Sequence, residues 1–284
     1  MPVEPFRAGL GILESRYKVV YDEGIFARTG FFAGDDRRRA DELNRYVADP
    51  DVRAILCARG GYGTMRILDQ LDGDALRRDP KPLVGFSDIT ALLAWAAAAA
   101  QVRPVHGPVV TQLGHLPGED VAWLFRLLED PSPPGALPHA LVRVGDRGGG
   151  TVEGRLVGGN LEIVTRLIGT PWELDLGASL FFTEEVSERP YRIDRMLTQL
   201  RLAGALDGVR AVAIGDFHRC DESDGLGGPT ALEVVGERLA AFELPGVAGL
   251  PVGHGVRNVA LPMGARAALD LAAGRLEVEE GAVQ

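Results

Sequence analysis

Apolar positions along this chain recur with two periods. Ala40, Leu43 and Val47 fall at helical spacing behind Asp35 and Asp36, either of which can cap the start of a helix. Val52–Cys57 is a short apolar run that predicts a buried strand, and Arg59-Gly60-Gly61-Tyr62-Gly63 follows as a glycine-rich turn. Met65, Leu68 and Leu71 share one face of a helix predicted over Met65–Leu71. Leu83–Phe86 predicts the next strand, Ser87 the turn after it, and Ile89–Ala99 an apolar helix. Two consecutive strand–loop–helix units imply a parallel sheet with both loops at the carboxyl ends of its strands, where open α/β sheets place their sites.

Between Asp130 and Gly150 the pattern breaks into Pro131, Pro133, Pro134, Gly135, Pro138 and Gly148-Gly149-Gly150, which reads as a linker. Beyond it, strands are predicted at Arg155–Val157, Ser179–Thr183, Arg210–Ile214, Val259–Leu261, Ala267–Leu271 and Leu276–Val278. Helices are predicted around Ile193–Leu202 and Thr230–Phe242. The expected architecture is an α/β N-terminal domain with a mainly parallel sheet over residues 1–129, a linker over 130–150, and a mixed α+β C-terminal domain over 151–284.

Composition narrows the class of protein. With 284 residues, 46% hydrophobic and 25% charged, the chain can bury a real core and reads as globular. A net charge of −10 with no long basic run argues against nucleic acid as a partner. The densest basic cluster, Arg37-Arg38-Arg39, sits among Asp35, Asp36, Asp41 and Glu42 and reads as a mixed, solvated helix face. Cys57 and Cys220 lack the spacing of a disulfide framework or a zinc site, so neither is suggested. Met1-Pro2-Val3-Glu4-Pro5 has no signal-peptide character, and Ala91–Ala100 is too short to span a bilayer. The expected compartment is the cytoplasm, with no membrane partner.

The segment Leu83-Val84-Gly85-Phe86-Ser87-Asp88-Ile89-Thr90 presents a serine on a strand-to-helix turn. That is how a hydroxyl is held where neighbouring backbone N–H groups can receive an oxyanion. A serine before a helix is ordinarily an N-cap, so other segments must decide. A serine nucleophile needs a base, and the base an orienting acid. Of five histidines, His139 and His115 look like loop residues, His218 like a surface residue, and His106, in Val105-His106-Gly107-Pro108, fits the rim of a site. His254, flanked by Gly253 and Gly255, is the strongest candidate base, with a plain loop histidine as the alternative. Leu180-Phe181-Phe182-Thr183-Glu184-Glu185 is an apolar strand ending in carboxylates. Side chains alternate along a strand, so Glu184 is the one that faces as Phe182 does; a solvated strand end is the alternative. The Arg59–Gly63 loop lacks a phosphate-loop lysine, and its glycines either expose N–H groups to an anion or serve a tight turn.

Taken together, Ala58-Arg59-Gly60-Gly61-Tyr62-Gly63, Gly85-Phe86-Ser87-Asp88-Ile89-Thr90, His106-Gly107-Pro108, Gly158-Gly159-Asn160-Leu161, Glu184 with Pro190-Tyr191-Arg192-Ile193-Asp194-Arg195, and Gly253-His254-Gly255 resemble the LD-carboxypeptidases. That family comprises the murein tetrapeptide carboxypeptidases and the microcin C self-immunity peptidases. The resemblance covers roughly residues 25 to 270. It implies a Ser–Glu–His hydrolase without cofactor or metal, with Ser87 as nucleophile, His254 as base and Glu184 as orienting acid, in a cleft between two domains. Backbone N–H groups of Asp88 and of Gly60 or Gly61 would form the oxyanion hole, with Arg59, Tyr62, His106 and Asn160 at the substrate. The implied reaction releases C-terminal D-alanine from a murein tetrapeptide in the cytoplasm by a homodimer.

The chain departs from the family pattern in two places. The family's first strand and its small Ala-Pro-Ser-type turn are not found before the first helix, and Glu185 stands where aspartate is common, which leaves Glu185 as an alternative acid. Two other functions stay open: a microcin-type amidase acting on an aminoacyl nucleotide analogue, with Trp172 in an aromatic pocket, and a non-catalytic peptide-binding protein.

Overall fold

The computed structural model describes residues 1–144, 148–221 and 228–283; residues 145–147 of the segment read as a linker lie outside them. In chain order the strands are β1 (Ile55–Leu56), β2 (Leu83–Gly85), β3 (Val105–His106), β4 (Gly135–Ala136), β5 (Val142–Val144), β6 (Thr151–Asn160), β7 (Ser179–Val186), β8 (Ala211–His218), β9 (Gly246–Ala248), β10 (Leu261–Pro262), β11 (Arg266–Asp270) and β12 (Arg275–Val278). They build two sheets, β1-β2-β3-β10 and β4-β12-β11-β6-β7-β8-β9-β5.

In the smaller sheet β1, β2 and β3 are parallel, as the alternating pattern predicts, and β10 closes it antiparallel to β3. A strand from the C-terminal half therefore completes the N-terminal sheet. In the larger sheet β6, β7, β8 and β9 run parallel, flanked by antiparallel β11 and β12 on one side and β5 on the other. The segment read as a linker supplies both edge strands, β4 and β5.

The central strands are apolar on both faces because both faces are covered. Val157, Phe181 and Val212 pack against Leu161, Ile193, Leu197 and Val235 of the helices Leu161–Leu167, Pro190–Leu202 and Ala231–Ala241. On the opposite side Leu156, Leu180, Phe182 and Ala213 share one core with Leu92, Leu93 and Trp95. Those last three belong to the helix Thr90–Ala100, apolar nearly all round and buried accordingly. One hydrophobic core thus runs through both halves of the chain.

Several predicted elements change on folding. Met65–Leu71 forms two 3₁₀ turns, Thr64–Arg66 and Leu68–Gln70, instead of a continuous helix. Asp88 takes the backbone N–H and the hydroxyl of Thr64, and Ile67, at φ −113°, interrupts the helical path. The chain opens with a helix, Val3–Glu14, that buries Phe6, Gly9 and Leu13. The arginine cluster is less solvated than expected: Arg38 and Arg39 pair with Glu42 and Asp36 and are largely buried.

Candidate active site

Strand β2 ends at Gly85, and Phe86 carries the extended backbone to Ser87. Ser87 has φ +63°, a left-handed conformation that costs a non-glycine residue on the order of 1 kcal/mol. It begins a 3₁₀ turn, Ser87–Ile89, that runs into the helix Thr90–Ala100, and its hydroxyl caps neither. A strained, half-buried serine that does not cap its helix differs from the ordinary N-cap and matches a hydroxyl displayed on a turn.

The glycine loop lies directly against this serine. A Cβ built on Gly60 would stand 2.9 Å from Ser87 Cβ and 3.2 Å from its Oγ, so the approach requires glycine. The far end of the loop is fastened by Asp88, whose Oδ2 accepts from Thr64 N at 3.0 Å and from Thr64 Oγ1 at 2.7 Å. Residues 60 to 64 are held to residues 87 and 88 at both ends. Arg59 and Tyr62 point out of this loop into solvent.

His254 and Glu184 meet in the fold. His254 Nδ1 lies 2.7 Å from Oε2 of Glu184, which is fully buried at the carboxyl end of β7. The buried carboxylate is an acceptor, so Nδ1 carries the hydrogen and Nε2 is left as the basic nitrogen. Burial opposes protonation of His254, but the hydrogen bond and charge of Glu184, together with Glu185 and Asp216, outweigh it and raise its pKa above 6.5. The imidazole also packs on Phe86, the neighbour of Ser87, with ring centroids 4.7 Å apart.

Both carboxylates of the pair are now distinguished. Glu184 and Glu185 point to opposite sides of β7, and the β7–β8 register slips between Thr183 and Glu185, a bulge of the kind that re-aims side chains beside sites. Glu185 turns away from His254 and accepts from Asn160 Nδ2 at 3.1 Å, Glu162 N at 2.8 Å and Val186 N at 2.8 Å. Burial, aided by the charge of Glu184 and opposed by these hydrogen bonds, lifts its pKa to about 7. Asn160, expected at the substrate, is 4% exposed, caps the helix Leu161–Leu167 and bonds Glu185, so its side chain is committed within the fold.

His106 departs from its expected rim position. It is fully buried, edge-on to Phe86 and Phe182, and neither ring nitrogen has a hydrogen-bond partner among the described residues. Burial, with a smaller contribution from His254, pushes its pKa down to about 3, so it is a neutral packing residue.

Residues that sequence reasoning missed hold the His254 loop. Asp120 accepts from Arg257 Nε at 3.0 Å and from Asn258 N at 3.2 Å. Asn258 accepts from Gly253 N at 3.2 Å and donates to Gln112 Oε1 at 2.9 Å. Gly253 itself adopts φ +133° with Glu184 packed against its backbone, which leaves no conformational room for a side chain. Gln112 and Asp120 come from the N-terminal half, so the histidine is oriented across the chain. Among the described residues no cluster of His, Cys, Asp and Glu is arranged to hold a metal ion, and no helix is long and apolar enough to cross a membrane.

Residues 2–107 match the LD-carboxypeptidase N-terminal domain and residues 153–269 the LD-carboxypeptidase C-terminal domain. The murein tetrapeptide carboxypeptidase of Pseudomonas aeruginosa is 36% identical over 87% of this chain and 81% of its own length. The crystal structure of a muramoyltetrapeptide carboxypeptidase from Oxalobacter formigenes superposes with a TM-score of 0.84 at 30% identity, over 99% of this chain and 96% of that one. The microcin C7 self-immunity protein MccF superposes with a TM-score of 0.88 at 25% identity, over 99% of this chain and 92% of that one.

Proposed function

This chain belongs to the LD-carboxypeptidase family, and we propose that it is a serine carboxypeptidase that releases C-terminal D-alanine from a murein tetrapeptide. The observation that carries this reading is the 2.7 Å contact between His254 Nδ1 and the buried Glu184, formed beside the strained Ser87 turn. In the proposed reaction Ser87 Oγ attacks the carbonyl carbon of the L,D-peptide bond and its proton passes to His254 Nε2. Glu184 holds the imidazole in the tautomer that can accept it and stabilises the imidazolium. The carbonyl oxygen becomes an oxyanion, received by the N–H of Asp88 and by one from Gly60 or Gly61. Collapse expels the D-alanine amine, which takes the proton from His254. Water, deprotonated by the same imidazole, then hydrolyses the acyl-serine and regenerates the hydroxyl. The proposed reaction requires a hydrogen bond from Ser87 Oγ to His254 Nε2 in the substrate complex.

The exposed guanidinium of Arg59, one residue before Gly60, is the proposed partner for the terminal carboxylate. On this reading the site lies in a cleft between a unit of residues 1–129 and one of residues 151–284, joined by 130–150. The enzyme acts in the cytoplasm as a homodimer. A microcin-type activity gains no support from Trp172, which packs against the main core. A binding protein without activity has no use for a desolvated acid bonded to a histidine. The test is turnover by Ser87→Ala: the variant should fold as the wild type does and release no D-alanine, and unchanged release would refute the assignment.

A further inference from the structure

The three residues of the proposed triad come from three separate elements: the turn after β2, the end of β7 and the Gly253–Gly255 loop. Serine attack needs such groups registered to within about 0.5 Å. His254 is tied to the N-terminal half through Asn258, Gln112 and Asp120. Ser87 and Glu184 need a tie of their own. Two features that the proposed reaction leaves unused, Thr90 and the Gly158-Gly159-Asn160 segment, meet between them.

Thr90 is bonded in both directions. Its backbone N–H donates to the carbonyl oxygens of Ser87 and Asp88, which closes the turn that displays the serine. Its Oγ1 accepts from Asn160 N at 3.1 Å, 70 positions along the chain. Asn160 ends β6 and lies beside Glu184 in the parallel β6–β7 ladder. Its Nδ2 donates to Glu185 Oε1 at 3.1 Å, and Glu185 Oε2 accepts from Glu162 N at 2.8 Å. A continuous chain of contacts therefore runs from Ser87 through Thr90 and Asn160 to the strand that carries Glu184.

Burial makes this chain exacting. Thr90 is 0% exposed, Glu185 2% and Asn160 4%, so bulk water cannot stand in for a lost partner. Gly159 permits the approach: a Cβ there would stand 2.5 Å from Thr90 Cγ2 and 2.8 Å from its Oγ1. Thr90 thus supplies both the acceptor for Asn160 N and the methyl on which Gly159 packs.

We propose that Thr90 is a positioning residue that fixes the Ser87 turn against the strand carrying Glu184, and through Glu184 sets the reach of His254 to Ser87 Oγ. This rests on the carboxypeptidase reading and adds to it a residue that acts without touching the reacting atoms. The experiment measures kcat and KM for D-alanine release from the tetrapeptide, with the melting temperature, for the wild type, Thr90→Val and Thr90→Ser. Valine keeps the side-chain volume and removes the acceptor, whereas serine keeps the acceptor. Thr90→Val should lower kcat by about tenfold or more with KM within about twofold, because a displacement near 1 Å between reacting groups already costs about a hundredfold. Thr90→Ser should keep kcat within about threefold of the wild type. Should Thr90→Val not fold, Thr90→Ala, which removes the hydroxyl and frees space at Asn160 N, takes its place with the same expected loss. A lowered melting temperature with kcat within about twofold, a raised KM with kcat retained, or an equal loss in Thr90→Ser would overturn the positioning role and leave the carboxypeptidase reading intact. No release by the wild type would overturn both.

Discussion

Replacing Gly60 with alanine tests the packing of the glycine loop on Ser87. The new Cβ would stand 2.9 Å from Ser87 Cβ, 3.2 Å from Oγ and 3.3 Å from the Phe86 carbonyl oxygen. Carbon atoms pack at about 3.5–4.0 Å, so the loop or the serine must retreat by about 0.6–1 Å. Neither can move freely: Asp88 fastens the far end of the loop through Thr64, and Ser87 sits between β2 and a buried helix. A displacement near 1 Å between reacting groups costs about a hundredfold in rate. We therefore expect kcat on a murein tetrapeptide to fall between about tenfold and about a hundredfold. Overpacking should cost about 1–3 kcal/mol of stability, which lowers the melting temperature without unfolding the chain. Gly118→Ala, with open space around its Cβ, is the control and should change neither quantity. A Gly60→Ala enzyme with kcat within twofold of the wild type would refute the account of this loop.

Other perturbations probe the remaining parts of the site. Glu184→Gln should lower kcat by about a thousandfold or more while the fold persists, because the amide can present an N–H donor to Nδ1, which favours the wrong tautomer, and carries no charge to stabilise the imidazolium; near-normal turnover would exclude Glu184 as the orienting acid. Because His254 must be neutral to accept a proton and its pKa is raised, kcat/KM should fall on acidification with a midpoint above pH 6.5. A flat profile through that region would contradict the role of His254. Asp88→Ala removes a buried carboxylate that accepts from Thr64 N and Oγ1 and should cost about 3 kcal/mol in urea denaturation, with activity lost as the glycine loop comes free; a loss under about 1 kcal/mol would show that the loop is held by other contacts.

The parts of the fold legible in the sequence were those set by local pattern. The cores of β6, β7 and β8 read as strands because all their side chains are buried between two layers, and the buried Thr90–Ala100 helix read as apolar for the same reason. Alternation along β7 correctly separated the facing of Glu184 from that of Glu185, whereas the bulge opposite them lies in β8 and carries no local signal. Long-range pairing was not legible. Nothing near Leu261–Pro262 says that it completes a sheet begun at Ile55, and the two-residue edge strand Gly135–Ala136 hides in a proline-rich stretch. Asp120 and Arg257 are ordinary surface residue types whose partnership, 137 positions apart, exists only in the fold. His106 read as a rim residue because a glycine and a proline follow it, yet Phe86 and Phe182 enclose it. The Val3–Glu14 helix could have been found from Phe6, Leu10 and Leu13, which lie on one helical face.

Release of D-alanine from an L-Ala-γ-D-Glu-meso-diaminopimelate-D-Ala tetrapeptide, measured for the wild type and Ser87→Ala side by side, tests the central claim most directly. The account predicts release by the wild type and none by the variant. Equal release by both would contradict Ser87 as nucleophile, and release by neither would contradict the tetrapeptide as substrate.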